Sequence, residues 1–166
     1  MQPNTVTTQS YLTFRLGDES FAAHVTYVLE ILEVTKITRV PRSPEYMRGV
    51  VNLRGNVLPV IDTRMKFGFD RIEDTVNTCI IVLNIESEKQ KVTLGALVDS
   101  VQEVLDIESS RIQAPPTLGS KYRTEFIEGM VKEGDQFVMI LNTSLVFSTD
   151  EVLMLREVTE TNAVDA

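Results

Sequence analysis

The chain contains two copies of one sequence pattern, and this repetition limits the folds that it can adopt. Residues 46–62 (YMRGVVNLRGNVLPVID) return in a weaker form as residues 126–142 (FIEGMVKEGDQFVMILN). Upstream of each copy, residues 21–32 match residues 94–105 in the same order. Such self-similarity is typical of a protein built from copies of one supersecondary unit. Because each copy is near the lower size limit for an independent core, we expect the copies to pack against each other.

Short strands and tight turns dominate the pattern. Glycine followed by Asp or Asn stands between apolar runs at Gly17-Asp18, Gly55-Asn56 and Gly134-Asp135. These pairs favour β-hairpins because both residue types tolerate positive φ. Strands of only about four to seven residues indicate an all-β protein made of small barrels. Pro59 predicts an edge or a bulge, because proline cannot donate a hydrogen bond to a neighbouring strand.

Helical signals are few and short. Residues 43–49 (SPEYMRG) are predicted to form one helical turn, with Ser43 as its cap and Gly49 at its left-handed exit. Residues 148–151 (STDE) have the pattern of a capping box, which predicts a closing helix over 149–157. The polar residues 1–9 and 159–166 are expected to form a disordered and a frayed tail.

The composition argues against several classes of function. The net charge is −8, and this disfavours binding to nucleic acids or anionic membranes, which depends on basic patches. No apolar run approaches the length of about 18 residues that a membrane span needs. The only cysteine, Cys79, lies in an apolar run and is predicted to be a small buried hydrophobe. A lone cysteine also suits a reducing cytoplasm.

Reactive groups that could build a catalytic site are sparse. His24 is the only histidine, and the sequence offers no evident partner for a metal site or a nucleophile, so a structural role is favoured. Asp62 is the best candidate for an acid, but a hydrogen bond to the following turn is the favoured interpretation. We therefore expect no catalysis, no cofactor and no metal. A small β-barrel enzyme is the alternative.

Two charged residues, Glu30 and Arg54, stand in otherwise apolar surroundings. Glu30 lies late in an apolar strand, and Arg54 lies just before a tight turn. A charge in such a strand must face water or find a partner, and we predict that the two side chains meet. Because an exposed ion pair stabilises a fold only slightly, its importance would lie in orientation or binding. The alternative is two separate, solvated side chains.

The central repeat resembles a known family signature. Residues 46–64 look like the signature of the CheW family of bacterial chemotaxis coupling proteins, and further matches at 16–19, 28–31, 77–78, 82–84 and 98–105 extend the resemblance over residues 10–156. The resemblance implies two intertwined, five-stranded, SH3-like β-barrels from an internal duplication, with short helical turns and a C-terminal helix. The domain would cover 10–158, with subdomains at approximately 10–75 and 76–145 and some exchange of strands.

The resemblance also implies a function without catalysis. Similar proteins couple methyl-accepting chemoreceptors to the histidine kinase CheA. They bind the C-terminal regulatory domain of the kinase and the cytoplasmic tip of the receptor's helical hairpin. We therefore expect a cytoplasmic protein that is recruited to receptor arrays at the inner face of the membrane. The alternative is a coupler in a chemosensory-like pathway with another output, such as twitching motility.

The family motif assigns residues to each expected partner. An amphipathic receptor helix would bind an apolar groove at the seam between the barrels. The receptor-binding residues implied by the resemblance are Val28, Gly49, Val101 and Val104. The kinase-binding residues implied by it are Asn52, Arg54, Gly55, Asn56 and Val57. Glu30 and Arg54 both match family positions, which favours a functional ion pair. For each valine taken singly, the alternative is a plain core position.

Overall fold

The structure is a computed structural model that describes residues 6–68, 73–86, 91–114 and 126–147. Within these ranges the chain forms ten strands, two short α-helices and two 3₁₀ turns. The strands are β1 (Thr8–Leu16), β2 (Glu19–His24), β3 (Val28–Glu33), β4 (Met47–Leu53), β5 (Asn56–Asp62), β6 (Cys79–Glu86), β7 (Lys91–Val98), β8 (Ser100–Glu108), β9 (Ile127–Glu133) and β10 (Gln136–Leu141). The helices are α1 (Thr63–Lys66) and α2 (Thr143–Val146), and the 3₁₀ turns are Val25–Tyr27 and Ser109–Arg111.

The strands form two five-stranded sheets that interleave the two halves of the sequence. The order in the first sheet is β8-β1-β2-β10-β9, and the order in the second is β3-β6-β7-β5-β4. Each sheet therefore combines the first two strands of one copy with the last three strands of the other. The predicted all-β fold of two intertwined five-stranded units is confirmed. β6 and β7 pair with β3 and β5, so strands are exchanged between the two halves of the sequence.

The pairing registers repeat together with the strand order. In the second sheet, Val60 on β5 lies opposite Gly95 on the parallel strand β7. In the first sheet, the corresponding residue Ile140 on β10 lies opposite Ala22 on β2. Because these four residues occupy matching positions in the two copies, the agreement supports a duplication over chance similarity between β-rich segments.

Alternation of side chains along the strands separates three apolar cores. One buried cluster lies within the first sheet: Tyr11, Ala22, Ile107, Val131, Val138 and Ile140. Another lies within the second sheet: Val51, Leu58, Val60, Ile80, Val82 and Leu97. The largest cluster, here called the seam core, takes side chains from both sheets and includes Phe14, Phe21, Leu83, Leu94 and Phe147. Since both sheets bury apolar surface in the seam core, the two units stabilise each other.

The tight turns follow the glycines closely. Gly17-Asp18 and Gly134-Asp135 connect β1 to β2 and β9 to β10 as predicted. The third turn consists of Arg54 and Gly55, one residue earlier than predicted, and both have positive φ, 51° and 85°. Pro59 lies in the part of β5 that pairs with β4 alone, before pairing with β7 begins at Val60. This partial edge is the kind of position that Pro59 predicted.

The helical turn predicted for residues 43–49 does not form. β4 begins at Met47, and the Ser43 hydroxyl donates a hydrogen bond to the Val40 carbonyl at 2.7 Å instead of capping a helix. Pairing with β5 along the length of β4 outweighs the local capping pattern. Near the N-terminus, β1 already begins at Thr8, inside the tail predicted for residues 1–9. The helix predicted over 149–157 and the tail over 159–166 lie outside the described residues.

Candidate protein-binding surfaces

Glu30 and Arg54 form a two-point ion pair. Nη1 and Nη2 of Arg54 each donate to one carboxylate oxygen of Glu30, both at 2.8 Å. Glu30 lies on β3 and Arg54 directly follows β4, and these are the two edge strands of the second sheet. The pair therefore joins the edges of this sheet. The hydrogen bond lowers the pKa of Glu30 and raises the pKa of Arg54, and charge attraction acts in the same direction.

The turn after β4 holds the Arg54 side chain in a fixed direction. Its φ of 51° is one that residues other than glycine rarely adopt. The Asn52 side-chain oxygen accepts a hydrogen bond from the Gly55 amide at 2.9 Å, which stabilises the turn. Although 70% of the Arg54 side chain is exposed, its backbone and its bonds to Glu30 orient it. The result is an exposed guanidinium that is preorganised for contact with a partner.

The residues that the resemblance assigns to the kinase lie together at one hairpin tip, here called the hairpin surface. Asn52 and Val57 are opposite each other in the β4–β5 register. Val57 is 51% exposed and adds apolar area beside the charged turn. The hairpin surface consists of Asn52, Arg54, Gly55, Asn56 and Val57.

β3 exposes apolar side chains that the sequence interpretation did not include. Leu29 and Ile31 are 54% and 46% exposed, whereas Val28, Glu30 and Leu32 are half-buried. Successive strand residues point to opposite faces, and Leu32 packs against the core of the second sheet. The sequence of β3, VLEILE, could therefore have predicted these exposed side chains. Because Leu32 faces the core of the sheet, its neighbour Ile31 must face the opposite side. An apolar edge strand is a typical place for partner contact.

Two of the four residues assigned to the receptor lie at the seam. Val28 and Val101 are half-buried, and both pack against the seam core. They occupy matching positions in the two copies, on β3 and β8. Val104 lies elsewhere on β8, is 56% exposed and corresponds to Ile31 in the first copy. The structure thus places Val104 on the surface and the other two valines at the rim of the seam.

Gly49, the fourth residue assigned to the receptor, is buried within β4. Its φ is 148°, and a Cβ there would lie 2.3 Å from the carbonyl oxygen of Thr38 and 2.7 Å from a methyl group of Ile37. Thr38 exchanges two backbone hydrogen bonds of 2.8 Å with Val50. Glycine is therefore needed for close backbone approach within a strand, and not at the exit of a helix as predicted.

Arg64 is fully buried and is held by carboxylates from different parts of the chain. Its Nε and Nη2 donate to Asp62 at 2.9 Å each, and Nη1 donates to Asp99 at 2.7 Å. Asp74 lies 3.6 Å away. Asp99 stands where the chain passes from β7 to β8 and also accepts a hydrogen bond from the Gly17 amide. Burial lowers the pKa of Arg64, but the bonds to Asp62 and Asp99 raise it overall, so Arg64 stays cationic.

The second copy lacks this charged cluster. Asn142 and Ser144 occupy the positions that match Asp62 and Arg64. Asn142 keeps the capping role, because its side-chain oxygen accepts a hydrogen bond from the Leu145 amide at 3.1 Å. The cap is thus a property of the repeat, whereas the buried charges belong to one copy. A charged segment after a strand suggests a solvated loop, so the sequence pattern did not indicate that Arg64 is buried.

The residues considered as candidates for reactive groups make contacts that stabilise the fold. Asp62 accepts a hydrogen bond from the Arg64 amide at 3.0 Å and so caps α1. The His24 ring accepts a hydrogen bond from the Thr26 amide at 3.1 Å and packs edge-on against Tyr11. Cys79 is half-buried, and burial raises its pKa. In the described part of the chain, no group of three or more His, Cys, Asp or Glu could hold a metal ion. No helix there is long and apolar enough for a membrane span.

Comparison with known proteins places this geometry in a family. Residues 10–151 match the family model of the CheW-like domain. The chain belongs to the CheW-like family. It is similar to the chemotaxis protein CheW of Klebsiella aerogenes, with 30% identity over 154 residues, covering 93% of this chain and 90% of the relative. It is also similar to the chemotaxis protein CheW of Rhizobium meliloti, with 33% identity over 140 residues, covering 84% and 88%.

A solved structure supports the same assignment. The crystal structure of the scaffolding protein TtCheW from Thermoanaerobacter tengcongensis superposes with a TM-score of 0.75 at 30% identity. The match covers 87% of this chain and 96% of that chain. The CheW resemblance and the fold that it implied are therefore confirmed, and the roles of individual surface residues stay predictions.

Proposed function

We propose that this protein is a non-catalytic adaptor that couples methyl-accepting chemoreceptors to the histidine kinase CheA. Its relatives are chemotaxis proteins and its structural neighbour is a scaffolding protein. The observation that carries the proposal is the two-point ion pair between Arg54 and Glu30, which holds an exposed cation in place beside exposed apolar residues. An oriented surface of this composition is suited to binding a protein.

The hairpin surface is the proposed site for the C-terminal regulatory domain of the kinase. Arg54 supplies a charge in a fixed direction, and Val57 supplies exposed apolar area. Arginine is among the residue types that contribute most to binding energy at protein interfaces. Because the Arg54 side chain is already ordered by Glu30, binding would cost less side-chain entropy than it would for a freely moving arginine.

The rim of the seam is the proposed site for the receptor's helical hairpin. Val28 and Val101 offer half-buried apolar surface on the two sides of the seam core, and Val104 continues this surface along β8. An amphipathic helix binds such a surface through apolar side chains on one face. Gly49 would act indirectly, because it is buried and determines how closely residues 37 and 38 approach β4.

Coupling imposes a thermodynamic condition on the adaptor. A protein that transmits a signal between two partners must bind their signalling states with unequal affinity. We expect binding to both partners in the cytoplasm, with recruitment to receptor arrays at the inner face of the membrane. The adaptor would then supply binding energy and orientation, and the kinase would supply the chemistry.

Separate titrations of the two partners test this proposal. Isothermal titration calorimetry would measure binding of a soluble receptor hairpin and, separately, of the isolated regulatory domain of CheA. We expect Arg54→Glu to weaken kinase binding roughly tenfold or more and to leave receptor binding unchanged. We expect Val104→Asp to have the opposite selectivity. If each variant weakens both partners equally, or neither partner binds the native protein, the proposal of two separate surfaces is wrong.

A further inference from the structure

One segment of this acidic protein is strongly basic. Residues 36–48, here called the basic segment, contain Lys36, Arg39, Arg42 and Arg48 and one acidic residue, Glu45. The rest of the chain carries 12 basic and 23 acidic residues. This segment, which runs from the connection between β3 and β4 into the start of β4, therefore has a net charge opposite in sign to that of the rest of the chain. An acidic partner would be repelled by most of the protein and attracted here.

Two of the arginines border a trough on the surface. Arg39 and Arg42 line a depression of about 260 Å³ whose walls also include Val40, Pro41 and Met47. A second depression of about 140 Å³ shares Arg39 and Met47 with the first and continues to Arg48. Glu45 borders both depressions and is the only acidic residue lining the larger one. Asp62 also lines the smaller depression, and Arg48 pairs with Asp74 at 2.6 Å, so the guanidinium groups that combine with the apolar walls are those of Arg39 and Arg42.

The backbone of the basic segment is constrained. Val40 is buried in the seam core, and the Ser43 hydroxyl donates to the Val40 carbonyl at 2.7 Å. Pro41 limits the conformations on one side of Arg42, whose φ is 61°. The anchored Val40 thus fixes a loop that carries Arg39 and Arg42 outwards. Both arginines are exposed, and among the described residues no acidic side chain forms an ion pair with either.

We propose that the basic segment is a docking surface for an acidic segment of the chemoreceptor hairpin. Carboxylates of that segment would pair with Arg39 and Arg42, since the planar guanidinium group suits two-point binding of carboxylates. An apolar side chain of the same segment would enter the trough against Val40 and Met47. This inference rests on the adaptor function proposed above and adds a second, electrostatic contact to the receptor site.

The position of the trough favours the receptor over the kinase. The smaller depression ends at Arg48, directly beside Gly49 on β4. The turn that we propose for kinase binding begins six residues after Arg48, just beyond the end of β4, which at about 3.3 Å per residue is about 20 Å away. Val40 also connects the basic segment to the seam core, whose rim is the proposed receptor site.

Single charge reversals with a matched control test the proposal. Arg39→Glu and Arg42→Glu each change the net charge by the same amount as Lys132→Glu, and Lys132 is exposed on β9 of the other sheet. Binding of a soluble receptor hairpin and of the CheA regulatory domain would be measured by calorimetry at about 0.05 M and about 0.5 M salt. Circular dichroism would show that each variant is folded, and the neutral variants Arg39→Gln and Arg42→Gln would replace any that is not.

We expect each reversal in the basic segment to weaken receptor binding about three- to tenfold at low salt, with a smaller effect at high salt. Lys132→Glu is expected to leave it unchanged, and kinase binding is expected to be unchanged for all variants. If Lys132→Glu weakens receptor binding as much as the reversals in the basic segment do, the effect is one of net charge and the proposal is wrong. The proposal is also wrong if the reversals in the basic segment weaken only the binding of the kinase domain. Failure of the native protein to bind the hairpin would instead refute the receptor half of the proposed function.

Discussion

Arg54 and Glu30 join the two edge strands of one five-stranded sheet through two hydrogen bonds of 2.8 Å. The first sheet has a comparable contact, because Arg111 pairs with Glu133 on edge strand β9 at 2.6 Å. The two arginines do not occupy matching positions in the repeat, since Arg54 lies in a hairpin turn and Arg111 follows β8. Each unit is therefore closed by an exposed Arg–Glu pair, but only Arg54 lies on the hairpin surface.

Arg54→Ala tests whether this ion pair serves binding or stability. We expect the variant to fold with an almost unchanged thermal midpoint, because exposed ion pairs stabilise folds only slightly. Assembly of kinase with receptor is expected to weaken. Arg111→Ala removes the comparable pair in the other sheet and is the matched control, with assembly unchanged. An unfolded Arg54→Ala protein would mean that Arg54 is structural.

The acid titration of Glu30 tests the strength of the contact. Because the pKa of Glu30 is lowered below its ordinary value of 4.5, the contribution of the pair is present above the unfolded-state pKa. It is lost as the pH falls through the lowered folded-state pKa. A pH titration of the side-chain carboxyl by NMR would measure this. In Arg54→Ala the pKa of Glu30 should rise towards the ordinary value, and an identical titration curve in both proteins would contradict the geometry.

Gly49→Ala tests the close approach between β4 and Thr38. The new Cβ would lie 2.3 Å from a backbone oxygen, so we expect the free energy of unfolding to fall by more than about 3 kcal/mol. Gly134→Ala is the control, because its Cβ would meet no atom within 4 Å and only its φ of 61° is unfavourable. For the control we expect a loss of about 1 kcal/mol. Urea denaturation measures both, and equal losses would show that crowding at Gly49 is unimportant.

Arg64→Met tests the buried charged cluster. Removal of the guanidinium leaves Asp62 and Asp99 without their main partner, and breaking a buried pair in this way costs about 3–5 kcal/mol. The matching position of the other copy offers the control, since Ser144→Ala should change the free energy of unfolding by no more than about 0.5 kcal/mol. The denaturation midpoints of Arg64→Met and Ser144→Ala, each compared with that of the native protein, measure the two effects. A small effect of Arg64→Met would mean that water or other groups compensate the two carboxylates.

Local chemistry made part of the fold predictable. Gly17 and Gly134 mark turns because positive φ is required there, and the copies were visible because apolar residues repeat in order. The predicted contact between Glu30 and Arg54 is also present, since a charge in an apolar strand needs a partner. The turns and the copies thus depend on local or repeated patterns, whereas the contact between Glu30 and Arg54 joins residues that are 24 positions apart in the sequence.

Long-range pairing determines the features that local patterns did not predict. The parallel pairing of Val60 with Gly95 exchanges strands between copies, and only the family resemblance indicated this exchange. Residues 43–49 had the signals of a helical turn, but β4 pairs with β5 from Met47 onwards. The burial of Arg64 depends on Asp99, which lies 35 residues away in the sequence. The exposed side of β3 could have been recognised, because Leu32 and Ile31 must face opposite ways.

Reconstitution of the complex tests the adaptor claim most directly. Kinase CheA and a membrane-free receptor hairpin assembly would be mixed with and without this protein, and the kinase would be measured in the sediment together with its autophosphorylation rate. We predict that kinase sediments with receptor, and that its rate responds to receptor, only when the protein is present, with Arg54→Ala less effective. Equal sedimentation and equal rates with and without the protein would contradict the account.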